Sequence, residues 1–112
     1  MDHILELIID AITEKKAIKP IILDLAGISN VTDYFFICSG KTPIQVRAIA
    51  DNIIDKVNEQ GSMPPKKEGY QEGRWVLLDF GHIVAHIMHE SEREFYALEN
   101  LWHDAKKTEL SL

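Results

Sequence analysis

The sequence predicts a single α/β domain built on a mixed sheet of about five strands, with helices mainly on one face. Helical spacing alternates with short apolar runs rich in branched and aromatic residues, in the order helix, strand, strand, helix, strands, helix. At 112 residues and 46% hydrophobic, the chain has material for one core and needs no disulfide or structural metal to close it. It holds no internal repeat and no low-complexity stretch, so residues 1–112 are read as one domain.

Residues 2–17 have the spacing of an amphipathic helix. Ile4, Leu5, Ile8, Ala11 and Ile12 share one side, and Glu6, Asp10 and Glu14 take the other. Lys15, Lys16 and Lys19 gather near its end, and Pro20 is expected to stop it. Ile21 to Leu25 reads as a short strand. After turn chemistry at Gly27-Ile28-Ser29-Asn30, residues 33–39 form a second strand, apolar on both faces and therefore central. Thr42 can cap the next helix with Pro43 at its first position, and Gly61 ends it. Residues 61–73 read as a loop with a short edge strand around Lys66 to Gly69. Residues 74–80 and 82–89 are two strands broken at Gly81, as in a tight hairpin. Ser91, with Glu94 three positions on, suits the start of a last helix whose Phe95, Leu98 and Leu101 turn inward. The tail 106–112 is expected to fray.

The formal charge of −6, from 18 acidic and 12 basic residues, argues against direct nucleic-acid binding, which calls for a basic stripe against phosphates. It leaves room for a basic protein partner, whose encounter complementary charge would speed. The one cysteine, Cys38, lies in an apolar run and reads as a small buried hydrophobe suited to a reducing cytosol. Glu6, Asp10 and Glu14 do not fit a signal peptide's apolar core, and no apolar run reaches membrane-spanning length. The expected location is cytoplasmic.

The hairpin carries the informative face. Val76, Leu78 and Phe80, with Ile83, Ala85 and Ile87, form a uniformly apolar side that belongs against the helices. The opposite side mixes Trp75, Leu77, Val84 and Met88 with Asp79, His82 and His86, a blend typical of protein interfaces. That side is either an open docking face or one covered by a further helix. If open, it is also a face on which two free copies of the chain could pair weakly.

Three motifs suggest other chemistry. Ser39-Gly40-Lys41-Thr42 looks like the end of a phosphate-binding loop, but the glycine required five residues before Gly40 is Phe35. His82, His86 and His89 would converge on a metal if helical, whereas on a strand His82 and His86 stand roughly 13 Å apart. Asp24, Asp33 and Asp79 lie in or beside strands, and clustered at sheet ends they could hold magnesium for a nucleotidyl transferase. No element to grip a triphosphate accompanies them, so neither metal nor cofactor is expected, and the chain is read as a non-enzyme with the metal-dependent nucleotidyltransferase as the alternative.

Several stretches in order are more specific than any single motif. They are Asp24-Leu25, Thr32-Asp33-Tyr34-Phe35-Phe36-Ile37-Cys38-Ser39-Gly40, Gln45 to Asp51, Glu68-Gly69, Trp75 to Gly81, Val84-Ala85-His86, and Arg93 to Trp102. Together, from about residue 3 to 105, they resemble the ribosomal silencing factor (RsfS, Iojap-like) family. The resemblance implies a nucleotidyltransferase-like fold without the chemistry. It also implies binding to the large ribosomal subunit through its protein fourteen, which blocks joining of the small subunit and represses translation. Carried over by position, the partner-binding residues are Glu68, Gly69, Trp75, Leu77, Asp79, Val84 and His86, to which the face itself adds Met88. Tyr96, Glu99 and Trp102 belong to the C-terminal motif, where a core role competes with a binding one. The family usually has an acid where this chain has His82; if that acid pairs with a basic ribosomal residue, binding here is weaker or pH-dependent.

Overall fold

Asp2 starts the first helix, its carboxylate accepting from the amides of Ile4 at 2.9 Å and Leu5 at 3.3 Å. In this computed structural model, which describes residues 2–111, that helix is α1, His3–Glu14. It ends before Pro20. Lys16 turns the chain with φ 55, and Ala17 donates back to the Ile12 carbonyl. Pro20 instead lies inside β1 (Ile18–Asp24), at a break in register between Ile18 and Ile21, where a missing N–H does little harm.

β2 (Tyr34–Gly40) leads into α2 (Pro43–Glu59). Thr42 Oγ1 accepts from the Gln45 amide, and Gln45 Oε1 accepts from the Lys41 amide, so the apparent phosphate loop is a closed helix cap. After a loop come β3 (Lys66–Glu68), β4 (Trp75–Asp79), β5 (Ile83–His89), the short helices α3 (Glu90–Tyr96) and α4 (Leu98–Leu101), and β6 (Lys106–Glu109).

The mixed sheet has six strands in the order β3-β4-β5-β2-β1-β6, one more than expected. The extra strand is the tail. Lys106 to Glu109 pair antiparallel with Asp24 to Ile21, and the Leu110 amide donates to the Pro20 carbonyl at 3.0 Å. Pairing satisfies the backbone groups along β1's outer edge. Its Lys-Lys-Thr-Glu sequence is exposed throughout and shows no apolar alternation, which is why it reads as a frayed end.

The central pair, β2 with β5, is parallel, and β4 returns antiparallel to β5 as a hairpin. The turn uses Gly81 at φ 89, with the Phe80 amide donating to Ile83 at 2.8 Å and Asp79 Oδ1 accepting from the Gly81 amide at 2.7 Å.

The main core lies between one sheet face and the two long helices. Ile22, Phe36, Cys38, Val76, Leu78, Ile83, Ala85 and Ile87 meet Leu5, Ile8, Ile12, Val46, Ile49 and Ile53. Burying one side chain such as Phe36 or Ile53 contributes about 1.5–3 kcal/mol. Cys38 belongs to this layer; burial pushes its thiol up to about 12, against a small opposing pull from Arg93.

The opposite face is covered only in part. Leu98, Trp102 and Ala105 pack on Ile21, Leu23, Phe35 and Ile37, toward the β1 side. The last helix departs from its sequence reading in two ways. Its cap is His89, whose Nδ1 accepts from the Ser91 amide at 3.1 Å. It then breaks at Ala97, which is left-handed with φ 45 and ψ 54. The break puts Phe95 and Leu98 on separate helices that do not share a face: Leu98 is buried, while Phe95 and Leu101, expected inside, stand 81% and 69% exposed.

Candidate functional site

The β3–β4–β5 side of the second face carries the predicted partner-binding residues. Register places them in rows: Trp75 beside Met88, Leu77 between Glu68 and His86, and Asp79 between Lys66 and Val84. Side chains directly opposite one another project to the same face, so these residues form one surface. Their burial divides it. Trp75, Leu77 and Asp79 are half-buried, and Glu68 and Gly69 are exposed. Val84 and His86 are almost enclosed at 9% and 5% exposure, and Met88 is fully buried. The last three therefore form the floor beneath the accessible residues.

Gly69 shapes the approach to β4. It adopts φ 75, and a Cβ there would collide with the Trp75 carbonyl oxygen, so only glycine lets the loop close against the strand. Arg74 ties β4 to the start of α3, donating to both Glu92 carboxylate oxygens at 3.0 and 2.7 Å.

Aromatic contacts run across the surface. The Trp75 ring lies 4.8 Å from Tyr96, and Phe95 meets Tyr96 edge-on at 5.0 Å. Below, Phe35 meets His86 at 4.5 Å and Trp102 at 5.9 Å. The Trp75 indole Nε1 donates to His86 Nδ1 at 3.0 Å. Desolvation lowers the His86 imidazole to about 4, so it is neutral at physiological pH.

Sequence reasoning missed the contribution of Phe95. Spacing three residues before Leu98 fits an inward position on a continuous helix, and nothing in the sequence announces a left-handed alanine. Tyr96, 49% exposed and tilted against Trp75, joins the surface, whereas Trp102 packs against Phe35.

The alternative chemistries find little geometric support. Asp24, Asp33 and Asp79 lie at one end of the sheet, but β5 and β2 separate β4 from β1, putting Asp79 about 14 Å from Asp24 across three strand spacings. Asp24 and Asp79 instead accept from the amides of Ala26 and Gly81 in local turns. His82, His86 and His89 take separate partners: Asp2, Trp75 and Ser91. Among the described residues, no three His, Cys, Asp or Glu side chains converge as a metal site. His82 Nε2 lies 3.0 Å from Asp2 Oδ2. Burial acts to raise the Asp2 carboxyl, but hydrogen bonds from His82 and from the Leu5 and Ile4 amides outweigh it and hold the carboxyl below its usual range. Among the described residues no helix is long and apolar enough to cross a membrane.

Comparison with known proteins gives a consistent picture. A family model described as ribosomal silencing factor during starvation (RsfS) matches residues 1–112. The chain is 46% identical over 107 residues to the ribosomal silencing factor RsfS of Bacillus subtilis, covering 96% of this chain and 91% of that one. It is 43% identical over 108 residues to that of Halalkalibacterium halodurans, covering 96% and 92%. Among solved structures, a protein from Chromobacterium violaceum superposes with a TM-score of 0.87 at 30% identity, over 100% of this chain and 95% of that one.

Proposed function

Because the chain belongs to the ribosomal silencing factor family, we propose that it binds the large ribosomal subunit through its protein fourteen, so that the small subunit cannot join and translation falls. The mechanism is occlusion: no bond is made or broken, and affinity need only compete with the small subunit. The carrying observation is the half-open end of the sheet, where Trp75, Leu77 and Asp79 remain accessible beside Tyr96 and Phe95. Anchoring aromatics around an apolar centre with a few charges are the composition of a binding hot spot. The charges on it, Asp79 and Glu68 against Lys66, leave an acidic balance that, together with the net charge of −6, favours a basic partner.

Within this surface, Trp75 and Leu77 are the anchors, Asp79 and Glu68 the charged rim, and Gly69 the residue that lets the rim fold close to β4. Val84, His86 and Met88 hold the anchors from below. The same surface could also pair two free copies weakly until the ribosome displaces one.

Co-sedimentation of the purified chain with isolated large subunits, with and without small subunits, tests the reading. Pelleting with large subunits, coupled to loss of assembled ribosomes, is the expected result. No pelleting across a range of salt and pH would overturn it.

A further inference from the structure

His86 is buried beneath the docking face, with Nδ1 accepting the Trp75 indole N–H at 3.0 Å. An indole nitrogen only donates, so Nδ1 is the bare nitrogen and the proton sits on Nε2. Among the described residues, His86 Nε2 is the one buried side-chain polar atom without a partner. An orphaned buried donor weakens a fold, and an apolar ring between Phe35 and Leu77 would avoid it. Trp75, in turn, is only half-buried, with its N–H turned inward onto His86. The bond satisfies Nδ1 but leaves Nε2 unpartnered, so polar satisfaction alone does not account for a histidine at this place. What the bond adds is a fixed indole.

We propose that His86 is the positioning residue of the docking face: it takes up the Trp75 N–H and sets the ring as a donor-free platform for the partner. This inference rests on reading the face as the ribosome-docking surface. It also narrows the chemistry of what lands there. With its N–H engaged internally, Trp75 offers the partner only ring carbon and π-surface. Such a platform fits an aliphatic side chain or a stacked guanidinium, and it gives nothing to a hydrogen-bond acceptor. With Asp79 on the same surface, the matching group is the arginine or lysine stem of a basic protein.

The test reads the indole and the binding separately. In ¹⁵N-tryptophan-labelled protein, with the Trp75 resonance assigned through Trp102→Phe, the Trp75 indole N–H of the native chain is expected to exchange slowly with water. His86→Phe keeps a ring of similar size and removes the acceptor. It is expected to expose the N–H to fast exchange and to weaken large-subunit binding roughly 3- to 10-fold, the range for re-ordering one freed side chain. His86→Asn, with Oδ1 near the place of Nδ1, is expected to restore both. A fast-exchanging indole in the native chain overturns the proposal without recourse to any variant. So does a folded His86→Phe chain that binds as tightly as native. A native chain with a protected indole that fails to bind large subunits overturns the docking reading instead.

Discussion

The Arg93 guanidinium meets the Glu99 carboxylate at 3.3 Å across the left-handed break at Ala97. The same guanidinium donates from Nη1 to the Ile18 carbonyl at 3.1 Å and to Ser39 Oγ at 3.0 Å. One side chain thus fastens α3, α4, β1 and β2 together, and with them the cover over half of the second sheet face.

Arg93→Ala leaves Glu99 and the Ser39 hydroxyl without this donor in a largely enclosed place. Removing one partner of a partly buried cluster is the costly direction, and a loss of roughly 1–3 kcal/mol is expected. Urea unfolding measures it. A loss within 0.5 kcal/mol, roughly the size of an ordinary surface change, would show that the cover is held by apolar packing alone.

Ala97→Gly should act oppositely. The left-handed conformation costs a non-glycine residue about 1–2 kcal/mol, and glycine adopts it freely, though its unfolded state is more disordered. The expected net gain is about 0.5–1 kcal/mol in the same unfolding experiment, with no change in ribosome binding.

Asp79→Asn separates charge from structure at the proposed docking rim. The amide oxygen still accepts from the Gly81 amide, so the hairpin turn survives while the charge is lost. Association with large subunits should slow several-fold and depend less on salt, while dissociation changes little. Trp75→Ala, by contrast, should raise the dissociation rate until binding is lost, as expected for a central anchor, in a chain that remains folded. Stopped-flow or surface-capture kinetics distinguish the two.

Acid stability should report on His86. Unfolded, its imidazole titrates near 6.5; folded, burial lowers it to about 4. Between those values the unfolded chain binds the extra proton. The neutral side chain's contribution is therefore intact above about pH 6.5 and is lost as pH falls toward about 4, amounting to roughly 3 kcal/mol in all. Unfolding of native and His86→Phe protein at pH 7 and pH 4.5 isolates this term, because the Asp2 contribution is common to both. The native chain should lose more stability; equal losses would contradict the assignment.

Much of the fold was legible in the sequence. The hairpin's two-residue alternation separated Val76, Leu78, Ile83, Ala85 and Ile87 from Trp75, Leu77 and Asp79, and the structure puts the first set against α1 and α2. Thr42 and Pro43 marked the start of α2 because capping chemistry is local. What escaped was set by tertiary contacts. Ala97 is left-handed where α3 meets α4, with Phe95 left exposed before it, and β6 pairs with the edge that β1 offers. Whether the second face was open or covered had no local signature. It is both, divided between β2 and β4.

The two outermost strands bear on how this chain meets others of its kind. Both β3 and β6 are short, fully exposed and lysine-bearing, with three and four residues. Short charged edges resist the strand-by-strand growth that leads to fibrils, even with an aromatic surface standing open nearby. Edges of this kind leave a second copy no strand to extend, so any pairing would have to use side-chain surfaces, and a two-fold pair of that sort closes on itself without continuing into an array.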